Sequence, residues 1–444
     1  MNGANEFDAS HENALLCEPF GVKQSGMGEH PRFFYGWWIV VVAGVGLCLG
    51  YAPIIVYSFS VFIKPLTQDL HASRASISLA FTLANLMTSM SSPLVGRLAD
   101  RFGARSVILI ATTIFALLLI SAPLLSGKLW SFYVFFGLLG FVGSAPAPIP
   151  YVKVISRWFD RHRGLALGFT MVGIGCGAIL MPAFSLRLIA MLGWRSTYMV
   201  IGLLVIMVSV PIVALFLKES PEEKGLLPDG APVARSGAQK ENNEEGLTWR
   251  EARHSAKFWL MVGAVFLVGA SVHGCVLHLA PLLSDQGISP QRIALAITVL
   301  GSSLMVGRVA SGYLLDRFFA PRVAMSIFGA VSLGIVLLRA AAGTPLVFLA
   351  VFLIGLGMGA EVDIIAYMTS RYFGLRAFGE IYGYAFASYT LAGALGPWLM
   401  GLGFDRSGSY GFILVGFLLA TLLATVLMSR LGPYQFRPQE QKST

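Results

Sequence analysis

Apolar runs of 18 or more residues recur along nearly the whole chain, separated by shorter polar segments. A run of this length can cross the ~30 Å hydrocarbon core of a bilayer as an α-helix. The pattern predicts an all-α membrane protein, and an even number of spans places both termini on one side. The twelve predicted transmembrane helices lie near residues 35–62, 75–98, 105–126, 129–153, 164–189, 195–217, 257–283, 291–315, 321–341, 345–369, 376–402 and 410–431.

One long polar interruption divides the twelve spans six and six. It is rich in Glu, Lys, Pro, Gly and Asn, and such a composition cannot bury enough apolar surface to fold as a domain. Ser220 with Glu223, and Thr248 with Glu251, each fit a capping box that starts a short helix. We expect the second helix to run from Trp249 to Trp259 along the membrane surface. The predicted division is a flexible tail at 1–34, a six-helix bundle at 35–217, a linker at 218–256, a second six-helix bundle at 257–431 and a tail at 432–444.

The two halves also repeat each other. The shift that carries Gly96 to Gly312 also lays Asp100-Arg101-Phe102 on Asp316-Arg317-Phe318. Such a repeat predicts two pseudo-symmetric six-helix bundles related by an axis along the membrane normal, with a substrate site between them at the membrane midplane.

Composition supports a membrane protein and limits the other classes. Only 12% of the residues are charged and 56% are hydrophobic, against about 25% charged in a soluble domain. The net charge of +9 comes from basic residues spread over short loops, so it indicates topology, not nucleic-acid binding. More of these residues lie on the side of the termini, which predicts cytoplasmic termini in a bacterial inner membrane. The four cysteines lack metal-ligand spacing, and we expect no metal and no cofactor.

Arg308 lies inside an apolar run that extends from Ile293 to Asp316. At ~1.5 Å per residue it is ~12 Å from the charged end of that helix, near the middle of the hydrocarbon core. A guanidinium at this depth costs at least ~2.5–3.5 kcal/mol, so it faces a watery cavity or a partner and marks a substrate path. We interpret Arg308 as the anchor of an anionic substrate. A salt bridge that locks two helices together is the alternative.

A basic loop rich in glycine follows the second span, from Gly96 to Arg105. An aspartate at a helix terminus can accept charge-assisted hydrogen bonds from a neighbouring helix end, and such a latch holds one face shut until it breaks. The residues to which we assign gating are Gly96, Asp100, Arg101, Arg105, Asp316 and Arg317. This loop and the layout of six plus six spans resemble the major facilitator superfamily over the whole chain, although Ala104 replaces a usual basic residue.

The start of span five resembles the monocarboxylate transporter branch of that superfamily. The matching segment runs from Trp158 to Gly168, with His162 where that family usually has arginine, and spaced glycines follow it. Gly307-Arg308 resembles the span-eight segment whose arginine receives the substrate carboxylate, so the resemblance implies this role for Arg308. The usual acidic residue one turn earlier is replaced by Leu304, which departs from the family's proton-coupling scheme.

Two acids in span ten can take over the proton. Glu361 and Asp363 lie at roughly the depth of Arg308, because Asp363 is eight residues before Arg371. They are about 200° apart on a helix and cannot share a face. We expect Asp363 on the wet side, beside the crevice, and Glu361 against a neighbouring helix. The alternative is that one of them only pairs with Arg308 or Arg371.

Other polar residues in apolar runs are candidate substrate contacts, because polar groups that face lipid are costly. His278 lies near the outer end of span seven, about 140° around the helix from His273, so at most one of the two faces the crevice. An ordinary contact between helices is an equal alternative for either histidine. The remaining candidates are Asn85, Tyr384 and Tyr389.

These features predict a secondary transporter that moves a small monocarboxylate such as lactate or pyruvate, with a proton, by alternating access. Its partners are then a small organic anion, a proton and the lipid bilayer, and we expect a monomer. An efflux pump for amphipathic compounds is one alternative, because 16 methionines and many aromatic residues suit an adaptable pocket. A dicarboxylate exchanger is another. No Walker loop, HExxH motif or nucleophile elbow is present, so we do not expect an enzyme.

Overall fold

The computed structural model describes residues 34–230, 245–340 and 344–436, and from Tyr35 onwards the chain forms one compact unit. Most of both predicted tails and the middle of the predicted linker lie outside the described residues. Throughout the described ranges, α-helices connected by short turns account for nearly all of the chain.

The first half contains eight α-helices. They are α1 (Tyr35–Cys48), α2 (Phe59–Asp69), α3 (Arg74–Phe102), α4 (Ala104–Ile120), α5 (Leu129–Gly143), α6 (Pro148–Trp158), α7 (Arg163–Leu204) and α8 (Val210–Phe216). Two π-helical turns follow: Ala52–Tyr57 lies after a short break at residues 49–50 that ends α1, and Val205–Ser209 continues α7 directly.

The second half begins with a short linker helix and continues through seven more helices. They are α9 (Trp249–Ala252), α10 (Ala256–Leu277), α11 (Leu279–Asp285), α12 (Pro290–Arg317), α13 (Ala320–Ala340), α14 (Leu346–Phe373), α15 (Phe378–Ser407) and α16 (Gly411–Ser429).

These helices confirm the predicted all-α membrane fold. Eight continuous helical stretches are long and apolar enough to cross a membrane by length and composition. One of them, Arg163–Phe216, is broken at Gly193, whose φ of 76° leaves the helical region, and so it supplies two spans. Together with α3, α4 and α15, the described residues form twelve spans.

Pro146, Pro148 and Pro150 interrupt the helix of span four. Proline removes a backbone donor and clashes with the preceding turn, and residues 144–147 between α5 and α6 are not helical. The carbonyl oxygen of Pro146 accepts a hydrogen bond from the Tyr51 backbone N–H at 3.1 Å. The broken backbone is thereby satisfied inside the protein.

Two helix pairs join the first bundle to the second. Helix α3 packs on α15, and α7 packs on α12. Glycines allow the helices to approach closely: a methyl group on Gly96 would overlap the Gly379 carbonyl, and one on Gly164 would overlap that of Gly312. The internal repeat relates the two pairs, because it carries α3 to α12 and α7 to α15.

Both described ends of the chain lie on one face, which we call the linker face because the linker residues also pack there. The Tyr35 ring contacts Trp158 at 5.6 Å, and the Tyr434 ring contacts Phe319 at 4.8 Å. In the linker, Gly246 pairs with Gly374 in an isolated antiparallel bridge.

Of the two predicted capping boxes, the structure contains one. Thr248 and Glu251 form the reciprocal box, and the bonds from Thr248 hold the pKa of Glu251 below its usual range. The predicted box at Ser220 is wrong, because Glu223 accepts instead from the Glu219 backbone N–H at 2.8 Å. The helix after Thr248 is also shorter than expected, since it ends at Ala252.

Replacement of Gly96 by alanine tests the close approach of α3 and α15. We expect Gly96→Ala to lower the thermal unfolding midpoint of the purified protein, by an overpacking cost of about 1–3 kcal/mol. The matched control is Gly329→Ala on α13, where an added methyl group meets open space. Alanine there should be neutral or stabilising by about 0.5–1 kcal/mol. Equal midpoints for the two variants would contradict the packing.

Candidate functional site

Arg308 is buried where three helices meet. Its residue is 3% exposed, and its backbone is closely approached by α7 and α14: a methyl group on Gly168 would lie 2.5 Å from the Arg308 carbonyl oxygen, and one on Gly359 would lie 3.0 Å from the Arg308 nitrogen. Within the described part of the chain, its Nε and Nη1 atoms have no hydrogen-bond partner. The guanidinium is therefore not held by an ion pair among the described residues.

The two predicted acids lie in the same buried region. Glu361 is 1% exposed and Asp363 is 0% exposed, and both interact electrostatically with Arg308. The Ser311 hydroxyl of α12 lies 3.4 Å from Asp363 Oδ2. Both oxygens of Glu361 and Oδ1 of Asp363 lack a hydrogen-bond partner among the described residues.

The expected contrast between the two acids is only partly seen. Glu361 lies against a neighbouring helix as expected, since its Oε2 would be 3.8 Å from a methyl group on Gly269 of α10. Asp363 was expected on the wet side, but it is fully buried between α14 and α12. Close packing of α14 on α12 is the physical reason, because both of its acids then lie inside the protein.

Tyrosines complete this cluster. Tyr389 of α15 lies near Glu361, Arg308 and Tyr57, and Tyr382 lies near Asp363 and Arg308. Tyr57 belongs to the π-helical turn of the first span, so both bundles contribute to the cluster. Single π-helical turns of this kind often occur at functional sites. The central cluster is defined here as Tyr57, Arg308, Ser311, Glu361, Asp363, Tyr382 and Tyr389.

The structure does not bring the other predicted substrate contacts into the central cluster. Tyr384 stacks on Trp249 of the linker helix, with ring centroids 3.8 Å apart. The two ring nitrogens of His278 lie within hydrogen-bond distance of the Tyr410 hydroxyl and the Pro397 carbonyl oxygen. The Asn85 amide donates to the Phe81 carbonyl of its own helix at 3.0 Å.

Sequence reasoning missed Tyr57, Ser311 and Tyr382. Tyr382 could have been found, because it is seven residues before Tyr389 and such a pair shares one helical face. Ser311 could also have been found, because it is three residues after Arg308 on the same helical face. Tyr57 carries no such signal, since its role depends on which helices pack together.

Reciprocal caps join the two bundles on the linker face. Asp100 of α3 accepts hydrogen bonds from the Gly379 and Glu380 backbone N–H groups at the start of α15, at 2.9 and 2.8 Å. Asp316 of α12 accepts from the Gly164 and Leu165 N–H groups at the start of α7, at 2.6 and 2.8 Å. Each carboxylate therefore satisfies donors at a helix N-terminus, where negative charge is favoured.

Buried basic side chains form further ion pairs on the linker face. Lys153 of α6 lies 2.9 Å from Asp100 and donates to the Ala99 carbonyl. Arg371 of α14 binds Asp160 in the loop before α7, with 2.7 Å from Nη1 to Oδ1. Since Asp160 and Arg371 belong to different bundles, this ion pair is a further link between them.

The basic gating candidates have local roles. The Arg101 guanidinium lies 5.2 Å from the Phe102 ring centroid, and that of Arg317 lies 4.3 Å from the Tyr313 centroid. Arg105 donates its backbone N–H to Glu219 at 2.8 Å. None of these three contacts crosses between the bundles.

The family of this chain follows from its similarity to known proteins. The family model described as Major Facilitator Superfamily matches residues 45–397. The chain belongs to the major facilitator superfamily. As a member of this superfamily it is a membrane transporter and not an enzyme.

Individual relatives within the major facilitator superfamily agree with this. The chain is 25% identical over 365 residues to the uncharacterized MFS-type transporter YcxA of Bacillus subtilis (strain 168), covering 81% of this chain and 86% of that protein. It is 26% identical over 385 residues to monocarboxylate transporter 11 of Mus musculus, covering 84% and 83%. A solved structure of the proton:xylose symporter XylE shares the fold, with a TM-score of 0.65 and 16% identity over 90% of this chain and 97% of that one.

Loss of the Asp100 carboxylate tests how the linker face of this superfamily transporter is held shut. Asp100→Asn should open the face, because it weakens two charge-assisted bonds and leaves Lys153 without its counter-charge. At about 1.5–3 kcal/mol for a hydrogen bond to a charged group, closure should weaken by about tenfold or more. The measurement is labelling of a Ser92→Cys reporter, buried in α3, by an impermeant thiol reagent added from the linker side, with the native cysteines replaced by alanine.

Asp69→Asn serves as the matched control. Asp69 pairs with Arg195 at the surface, and such exposed pairs contribute about 0–1 kcal/mol. Labelling should therefore stay close to that of the parent protein. If both variants label alike, the cap does not hold the face shut.

Proposed function

We propose that this transporter carries a small monocarboxylate, such as lactate or pyruvate, together with a proton. The observation that supports the anion is the buried Arg308 guanidinium, two of whose nitrogens have no partner among the described residues. A guanidinium presents paired N–H donors that match the two oxygens of a carboxylate. The named monocarboxylate transporters among the relatives agree with this substrate class.

The charge balance of the central cluster supports coupling to a proton. With Arg308, Glu361 and Asp363 all ionised, the cluster carries one net negative charge and repels an anion. Each proton bound by an acid makes the cluster more positive by one unit. Anion binding and protonation therefore favour each other, and the effect is large at short distance in a poorly polarisable interior.

Alternating access would proceed by rocking of the two bundles about the central cluster. The caps at Asp100 and Asp316 hold the linker face closed, and their release exposes donors and acceptors that water can satisfy at the membrane surface. Arg308 binds the carboxylate, and Glu361 or Asp363 carries the proton. Gly96 and Gly312 allow the helices to close tightly again.

The orientation and assembly follow from the same proposal. The linker face is cytoplasmic, because short loops on this side carry more Arg residues than those opposite. The protein then lies in a bacterial inner membrane with both termini inside. A monomer is sufficient, since one chain supplies the whole central cluster.

Removal of the Arg308 guanidinium tests the anion anchor. Arg308→Ala should reduce lactate uptake into vesicles with an acidic exterior by about 30-fold or more, because truncation of one partner of a buried charge pair costs about 2–5 kcal/mol. Arg308→Lys should recover only part of the uptake, since lysine lacks the paired donors. Arg339→Ala, an exposed arginine at the end of α13, is the matched control and should transport normally. Unchanged uptake in Arg308→Ala would refute the anchor.

Neutral replacements of the two acids identify the proton carrier. Glu361→Gln and Asp363→Asn each mimic the protonated acid. A side chain replaced in this way can no longer bind and release a proton during the transport cycle. The variant that removes the carrier should keep lactate exchange across the membrane but lose accumulation driven by a pH gradient. The other variant should retain both activities. Gradient-driven accumulation in both variants would show that neither acid couples transport to protons.

A further inference from the structure

His273 presents an unused ring nitrogen beside the central cluster. It lies on α10, and its Nδ1 is 2.8 Å from the Gly269 carbonyl oxygen of the preceding turn. A carbonyl can only accept, so Nδ1 carries the hydrogen. In the neutral imidazole the other nitrogen, Nε2, is then an acceptor. Among the described residues, the structure gives this Nε2 no hydrogen-bond partner.

The His273 ring adjoins residues that reach the anion anchor. Its centroid is 5.3 Å from that of Tyr389, at an interplanar angle of 73°. Tyr389 in turn lies near Glu361 and Arg308. The imidazole is therefore connected through one aromatic ring to the group that would hold the substrate carboxylate.

Gly269 lies at the point where these side chains converge. A methyl group on Gly269 would lie 3.3 Å from Ala392 Cβ, 3.7 Å from Tyr389 Cδ2 and 3.8 Å from Glu361 Oε2. The same residue fixes the His273 tautomer through its carbonyl oxygen. Glu361 is 1% exposed, and both of its oxygens lack a hydrogen-bond partner among the described residues.

Together these groups offer acceptors to a donor on the substrate. His273 Nε2 accepts only, while the Tyr389 hydroxyl and a protonated Glu361 can donate or accept. A hydroxyl group fits such a set because it donates one hydrogen bond and accepts others. A site built to bind a substrate hydroxyl discriminates strongly against the analogue without it, since its buried polar groups are then left unpaired.

We propose that His273, Tyr389 and Glu361 form a hydroxyl subsite, which makes short-chain hydroxycarboxylates the preferred substrates. This inference rests on the proposed carboxylate transport and adds to it a specificity-determining residue, His273. The carboxylate binds Arg308, and the hydroxyl donates its hydrogen to His273 Nε2.

The test compares acids that differ only in the hydroxyl. Binding of lactate against propionate, and of 3-hydroxybutyrate against butyrate, is measured by thermal stabilisation of the purified full-length protein, because a ligand of the folded state raises its stability. The wild type should bind the hydroxy acid about 3- to 10-fold more tightly in at least one pair, as expected for a net hydrogen bond. The two pairs place the hydroxyl at different distances from the carboxylate and so report the reach of the subsite.

Three histidine variants separate this role from a structural one. His273→Asn keeps a donor for the Gly269 carbonyl but removes the acceptor at Nε2. The hydroxy acid and its analogue should then bind about equally tightly. His273→Gln can place an amide oxygen near the Nε2 position and should restore most of the preference. His278→Asn, on the neighbouring turn and bound to Tyr410 and Pro397, should keep the wild-type preference.

The outcomes distinguish this inference from the proposed function. If none of the four acids stabilises the wild type, the carboxylate proposal is wrong and the subsite falls with it. If all four bind in an Arg308-dependent way without preference for the hydroxyl, the carboxylate proposal stands and the subsite is wrong. A wild-type preference that survives in His273→Asn would likewise overturn the assignment.

Discussion

A permanent positive charge in the middle of a membrane protein constrains everything around it. Arg308 is buried at 3% exposure, and its charge has to be balanced by groups at the same depth. Glu361 and Asp363 of α14 supply that balance, although neither forms an ion pair with Arg308 among the described residues. The cost of such burial is at least ~2.5–3.5 kcal/mol, a large part of the ~5–15 kcal/mol by which proteins are stable. Two nitrogens of this buried guanidinium have no hydrogen-bond partner among the described residues, and this is the basis of the proposed anion anchor.

Carboxylates also lie at the linker face, but there backbone hydrogen bonds satisfy their charge. Asp100 and Asp316 are also carboxylates, but each accepts two backbone N–H bonds at a helix start. Their charge is thus satisfied inside the closed state, and when the face opens water can replace the helix ends. The central acids have no comparable donors, so they depend on protons or on the charge of Arg308. The carboxylates that join the bundles thus lie in a different environment from the two carboxylates proposed to carry the proton.

The predictable part of this protein follows from what is costly in a membrane. The apolar helices and the shared region of Arg308, Glu361 and Asp363 could be predicted from the sequence, because charge is rare inside such runs. The direction of a side chain was harder to predict. The sequence favours Tyr384 and Tyr389, whereas Tyr382 and Tyr389 share the inward face of α15. Which face is inward depends on how α15 packs against α3 and α10. The burial of Asp363 likewise depends on the closeness of α14 to α12, which local sequence does not encode.

The order of synthesis gives the reciprocal caps on the linker face one more consequence. The N–H groups of Gly164 and Leu165 are translated 152 and 151 residues before Asp316, which accepts their hydrogen bonds. At about 5–20 residues per second, the ribosome needs roughly 8–30 s to supply that acceptor. During this interval the first turn of α7 depends on interfacial water for its backbone donors. The amino-terminal bundle can therefore enter the membrane early, but the cap on its α7 waits until α12 of the second bundle has been made.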